Sequence, residues 1–285
     1  MVSPHAKRQA VQTLVREHQM SQRHACEVVD VARSTARYQP QGRSDEAETV
    51  GVVRDFAYRF PQHGYRHVTA LMQREGYEIN HKRVERIWRL EGLQLPRRKV
   101  VKRRFGEGGD VKQRAEYPNH VWSYDFTEDR TERGQRVRVL SVMDEYTREC
   151  LMVYAAKSIG SKRVIDILSW LFSTRGVPQH LRSDNGPEFI AHRVQKWLSD
   201  QGSQTLYITP GSPWENPFIE RFIGTLKAEC LARYLFDRVS EAQTMLDHWI
   251  DEYNRFRPHS SLDYMTPVEF RQAWHGQVTL TPTGT

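Results

Sequence analysis

Cysteine is scarce in this chain: Cys26, Cys150 and Cys230 are the only three in 285 residues. An odd, scattered set is no disulfide framework and suits a reducing compartment, so all three read as structural thiols. His24 and Cys26 have no second ligand pair at structural-site spacing, which argues against a zinc module. Long apolar runs are missing too, so no segment is expected to cross a bilayer. The first residues, Met1 to Arg8, hold no apolar stretch and no small-residue cleavage site. The expected location is therefore the cytosol.

What is present is an ordinary globular balance, 38% hydrophobic and 27% charged, over a length that allows more than one domain. The net charge of +7 is unevenly placed. Residues 1–115 hold 23 Lys and Arg against 13 Asp and Glu, or +10, whereas the remainder holds 19 against 22, or −3. Phosphate contacts dominate nucleic-acid affinity, so the basic half is the expected anchor on a polyanion.

The basic half is patterned as helices. Residues 5–18 form one amphipathic repeat through Ala6, Ala10, Val11 and Leu14. Ser21 to Tyr38 has the rhythm of helix, tight turn, helix, with Ser21 as N-cap. Arg33, Ser34 and Arg37 would lead the second helix, where a recognition helix meets phosphates and base edges. The stretch 39–47 has linker composition. A further helical block follows, from about Glu48 to Gly92. Within it Asn80 can cap a helix whose Lys82, Arg83 and Arg86 lie off the apolar face, and Arg66 stands in the preceding Gly64-Tyr65-Arg66. Arg97, Arg98, Lys99, Lys102, Arg103 and Arg104 make the densest positive run, read as a linker tracking a DNA strand. The expected divisions are 1–40 and 48–93 as helical DNA-binding units, 94–118 as basic linker, 119–235 as catalytic core and 236–285 as C-terminal helix and tail.

From Val121 the period changes to strands. Val121–Phe126, Arg136–Met143 after a turn at Gly134, and Cys150–Ala155 suggest an antiparallel meander. A helix over 160–173, a short strand ending at Asp184, a helix near 188–200, a strand over Thr205–Thr209 and a helix from Asn216 follow. That order matches an α/β, RNase H-like layout, a mixed five-stranded sheet flanked by helices. Ser240-Glu241-Ala242-Gln243 is a capping-box signature opening the last core helix.

Three carboxylates stand out in this frame. Asp125 interrupts an apolar strand, where an unpaired charge is costly and a bound cation would offset the cost. Asp184 ends a strand before the Asn185-Gly186 turn. Glu220, 35 residues further on, shares a helix with the apolar stripe Ile219, Phe222, Ile223 and Leu226, and lies off that stripe with Lys227 two turns beyond. Hard divalent cations such as Mg²⁺ take oxygen ligands, and two held close together can stabilise both oxygens of an in-line phosphoryl transfer. The set therefore points to an enzyme acting on phosphodiesters, with Lys227 placed to neutralise a phosphate.

The motifs Trp122-Ser123-Tyr124-Asp125-Phe126-Thr127, Ser183-Asp184-Asn185-Gly186-Pro187-Glu188-Phe189 and Asn216-Pro217-Phe218-Ile219-Glu220-Arg221-Phe222, with Lys227, resemble the integrase core of the insertion sequence 3 family of transposases. Tyr253-Asn254-Arg255-Phe256-Arg257-Pro258-His259-Ser260-Ser261-Leu262 with Thr266-Pro267 is similar to that family's C-terminal signature, and Gly64-Tyr65-Arg66 and Asn80-His81-Lys82-Arg83-Val84 to its helical region. The resemblance covers nearly the whole chain. It implies a DDE transposase, the second-frame product of its element, whose Asp125, Asp184 and Glu220 bind two Mg²⁺ ions, with Mn²⁺ as a substitute. It further implies that a metal-activated water cuts DNA at an element end and the freed 3′-hydroxyl attacks a second phosphodiester. Asn185 would join the DNA contacts. The implied partners are double-stranded DNA, as terminal inverted repeats and as target, further copies of the chain on that DNA, and an upstream-frame DNA-binding product, in the bacterial nucleoid. Trp214-Glu215-Asn216-Pro217 departs from the family's usual Tyr-Asp-Asn-Ala and leaves Glu220 in register. Asp144 is read as a structural partner of Arg148.

Other readings explain less. A DNA-binding regulator using only the helix-turn-helix units gives no reason for the three carboxylates. A retroviral-type integrase would carry the zinc module that is missing here. A ribonuclease acting on RNA–DNA hybrids typically needs a fourth acidic residue and lacks the basic helical half.

Overall fold

The computed structural model describes residues 4–38, 44–96, 113–184, 192–209 and 215–280, apart from the side chains of His5 and 275–280. The basic run with Arg97, Arg98, Lys99, Lys102, Arg103 and Arg104 lies outside these residues, as does Asn185. Two compact units divide the chain, Met1–Arg54 and Asp55–Thr285.

The first unit holds α1 (Pro4–Glu17), α2 (Gln22–Val28) and α3 (Arg33–Arg37). Ser21 caps α2 as expected, its hydroxyl accepting from the His24 N–H at 3.3 Å. Val11, Ala25 and Cys26 form the small core. Next comes α4 (Glu46–Arg59), which starts inside the stretch read as linker, with Glu46 and Glu48 in its first turn, where the helix dipole favours acid.

In the second unit α5 (Tyr65–Arg74) and α6 (His81–Leu90) pack through the stripes Val68, Leu71, Met72 and Val84, Ile87, Trp88. Asn80 caps α6, its Oδ1 accepting from the Lys82 N–H at 2.9 Å. The sheet consists of β1 (Val121–Arg130), β2 (Arg136–Asp144), β3 (Cys150–Ala156), β4 (His180–Ser183) and β5 (Gln204–Tyr207), in the order β3-β2-β1-β4-β5. The first three run antiparallel, as the meander predicts, and β4 and β5 run parallel to β1. Gly134, at φ +77°, makes the β1–β2 turn.

Strand alternation assigns the two faces. Trp122, Tyr124, Leu140 and Val142 pack with α7 (Ser161–Arg175) and α8 (His192–Asp200). Val137, Val139, Met143 and Val153 pack with α9 (Pro217–Glu229) and α10 (Val239–Arg255) on the opposite face. Helix α11 (Pro267–Leu280) closes the described chain. Several boundaries differ from expectation, among them β1, which runs on past Phe126 to Arg130. β5 stops at Tyr207, short of Thr209. The capping box expected at Ser240 does not form: α10 starts at Val239 behind Arg238, whose side chain makes no cap bond, and Gln243 bonds the β3 backbone instead. Glu241 alone caps the entry, accepting from the Asp237 N–H at 2.7 Å.

Candidate active site

Asp125 lies midway along the central strand, opposite Ser141 of β2. On its other side β1 pairs in parallel with β4 through Ser123 and Arg182. Asp184 lies two residues past the last of these pairs, just beyond the end of β4, and its charge reaches Asp125. The face that carries Asp125 is the one covered by α9, because Ser123, Asp125 and Thr127 alternate with the residues packed under α7. Glu220 is exposed in the first turn of α9, and Lys227 is exposed two turns on. The apolar stripe Ile219, Phe222, Ile223 and Leu226 is buried, as its spacing predicts.

Electrostatics tie the four residues together. Burial pushes the Asp125 carboxyl up to about 6; the Phe126 N–H works against this, the charges of Asp184 and Glu220 add to it, and Lys227 opposes it. Partial desolvation also raises Glu220, although the residue as a whole is exposed. The carboxylates lie within electrostatic reach but are not drawn tightly together. Among the described residues no three His, Cys, Asp or Glu side chains are close enough to hold a cation as they stand. The donor set itself, all carboxylate oxygen with one member already strained by its charge, fits a hard divalent cation.

The surroundings include groups that sequence reasoning missed. One pleat below the aspartates, Arg182 donates from Nε to Glu145 Oε1 at 2.8 Å and from a terminal nitrogen to the Gln113 carbonyl at 2.7 Å. Both partners of the ion pair are almost wholly buried, with side chains 2% and 0% exposed. Burial raises Glu145, and Arg182 acts against that. Glu215 accepts from the Thr209 N–H at 2.9 Å, linking the chain after β5 to the start of α9. The pairing of Asp144 with Arg148 takes another form. Asp144 accepts from the N–H groups of Asn119, Tyr146 and Thr147 at 2.7, 2.8 and 2.9 Å. Arg148 donates to the Glu145 carbonyl and stacks over the Phe218 ring, 3.9 Å from its centroid. Phe218 is two residues from Glu220, so the β2–β3 turn braces the helix that carries it.

The residues named for DNA contact are dispersed. Arg33, Ser34 and Arg37 are exposed on α3, where Arg37 bonds Gln22 at 2.9 Å. Arg66 is exposed and bonds the Tyr65 hydroxyl at 3.1 Å. On α6, Lys82 and Arg86 are exposed, whereas Arg83 is half-buried with its Nε enclosed. All three cysteines are free and buried, and burial raises the thiols of Cys150 and Cys230.

Comparison with known proteins bears on the family of the chain. Residues 115–213 and 201–267 match integrase core domain families, and residues 44–100 match an HTH-like domain family. The uncharacterized 31.7 kDa protein of insertion element IS407 from Burkholderia multivorans is 34% identical over 256 residues, spanning 88% of this chain and 90% of its own length. The chain belongs to the insertion sequence 3 family of transposases. The InsD transposase of insertion element IS2 from Escherichia coli is 27% identical to this transposase over 242 residues, 80% of this chain and 79% of that one. Among solved structures, the HTLV-2 integrase catalytic core domain in complex with magnesium aligns over 55% of the transposase and 99% of its own chain, with 21% identity and a TM-score of 0.45. The transposase is a polynucleotidyl transferase of DNA transposition and integration. Among the described residues no helix is long and apolar enough to cross a membrane.

Proposed function

We propose that Asp125, Asp184 and Glu220 are the catalytic carboxylates of this transposase and hold two divalent cations, Mg²⁺ with Mn²⁺ as a substitute. The observation that supports this most is the convergence of three charges from β1, the end of β4 and α9 on a strand position that resists ionisation. Such cations, when bound, supply Lewis-acid activation of the attacking oxygen and neutralise charge developing on the phosphoryl group. The chain's own groups do the rest. Lys227 meets a backbone phosphate beside the site, Arg148 holds the first turn of α9 through Phe218, and the buried Arg182–Glu145 pair fixes the floor under the aspartates. The reaction is nicking at an element end, followed by attack of the freed 3′-hydroxyl on target DNA.

End recognition falls to the helical units, through Arg33, Ser34 and Arg37 in the first and Arg66, Lys82 and Arg83 in the second, with the basic run and Asn185 completing the track. Several copies act together on the DNA, alongside an upstream-frame DNA-binding product, in the nucleoid. A duplex carrying the terminal inverted repeats that flank the gene, incubated with the protein and Mg²⁺, is expected to be nicked at the repeat boundary and joined to a second duplex. Equal processing of a scrambled end would reject the recognition role.

A further inference from the structure

The closing signature, Tyr253 to Leu262 with Thr266 and Pro267, supplies none of the three carboxylates, yet its side chains tie several elements of the second unit together. Asn254 exchanges two hydrogen bonds with the Cys150 backbone, at 2.9 and 2.8 Å, fixing the end of α10 to the start of β3. Arg257 grips Glu229, the last residue of α9, through Nε at 2.9 Å and a terminal nitrogen at 2.8 Å. The chain then turns through Asp263 and Tyr264, both at positive φ, +51° and +63°. Consecutive left-handed non-glycine residues are strained and persist only where surroundings over-determine them.

Here the surroundings come from the HTH-like helices. The Tyr264 carbonyl accepts from Arg74 of α5 at 3.0 Å, and the Tyr264 ring meets the His67 ring edge-on at 5.9 Å. Arg74 also takes both carboxylate oxygens of Glu269, at 3.0 and 2.5 Å. Glu269 in turn forms a capping box with Thr266 at the start of α11, with bonds of 2.8 and 3.2 Å. Burial works against the ionised Glu269, but Arg74 and Thr266 outweigh it and hold the carboxyl low. His63 and His67 are both lowered to about 4, by burial first and then by the Arg257 charge, so they pack as neutral rings. Away from α5, α11 meets the β2–β3 turn: Arg271 pairs with the buried Glu149 at 3.0 Å, and Phe270 and Trp274 lie against Tyr146. That turn also carries Arg148, which braces the first turn of α9.

We infer that residues 253–271 are a clamp that fixes the α5–α6 unit to the catalytic core, with Arg74 and Glu269 as positioning residues that set the distance between the DNA read by α6 and the phosphodiester cut at the carboxylates. The inference rests on the reading of α6 as a DNA-contacting helix and of the carboxylates as catalytic. Arg74 and Glu269 touch neither DNA nor the reacting atoms; they act through the rigidity of the joint.

The test uses full-length Arg74→Glu, Glu269→Arg and the double exchange, with two readouts on an element-end duplex: affinity, and the position of the nick mapped to single nucleotides. Each single variant is expected to keep end affinity within about twofold while its nicks spread over neighbouring phosphodiesters. The double exchange rebuilds the ion pair with its charges swapped but not the Arg74–Tyr264 bond or the Glu269 cap on Thr266, so its scatter is expected to be narrower than in either single variant without returning fully to the wild-type position. If a reversed variant does not fold, Glu269→Gln removes the pair without introducing repulsion, and the same spread is expected. A single wild-type nick position in the folded single variants would overturn the clamp, as would a double exchange whose nicks scatter as widely as those of the worse single variant. Failure of the catalytic reading shows up separately, as strand transfer surviving in Glu220→Gln.

Discussion

Asp125 is held where its charge is resisted, on the central strand under α9, with two further carboxylates acting on it. Its folded carboxyl titrates near 6 against an ordinary 3.8, so between those values the folded chain keeps a proton that the unfolded chain has released. Stability of the cation-free protein is therefore expected to fall as pH rises through about 6. Asp125→Asn should raise the thermal midpoint at about pH 8 and flatten this dependence, and a lower midpoint for the variant would contradict the reading. Added Mg²⁺ should stabilise the wild type more at about pH 8 than at pH 5, because protonation competes with binding. The buried ion pair beneath is a separate case. Arg182→Met strands Glu145 in the interior, and a loss of roughly 3–5 kcal/mol is expected in denaturant unfolding. Asp125 was legible in the sequence because a lone acid in an apolar strand contradicts its neighbours. Arg182 and Glu145 were not, since each looks like an ordinary surface charge until strand pairing brings them together.

Helix α9 carries Glu220 and is tied at both ends, by Arg148 stacked on Phe218 and by Arg257 on Glu229. Loosening the first tie should misplace Glu220 without touching DNA. Arg148→Ala is expected to lower strand transfer by on the order of tenfold to 100-fold at unchanged end affinity, and an unchanged rate would remove Arg148 from the positioning role. The elements themselves were readable: the meander, the alternation of strand and helix, and the caps at Ser21 and Asn80 follow from period and capping chemistry. Sheet order was not, because four-residue strands such as β4 carry too little pattern to name a neighbour. Its insertion beside β1 is what brings the end of β4, and Asp184 after it, to the strand that carries Asp125. The bonds of Asp144 were misassigned for a similar reason, since the amides of a tight turn compete with a nearby guanidinium for the same carboxylate.

Across the whole molecule the charge is uneven, +10 over residues 1–115 and −3 over the rest, as the proposed division between end binding and catalysis requires. Deletion of residues 1–40 is expected to reduce end-specific binding far more than cation binding, measured by end-duplex titration and by Mg²⁺ titration of the same protein. Unchanged affinity for ends would reject a recognition role for the first helical unit. The catalytic half is tested most directly by strand transfer in purified Asp125→Asn, Asp184→Asn and Glu220→Gln proteins with an element-end duplex and Mg²⁺. Each should fold and bind ends like the wild type yet form no joined product; wild-type strand transfer from any one of the three would contradict the three-carboxylate site.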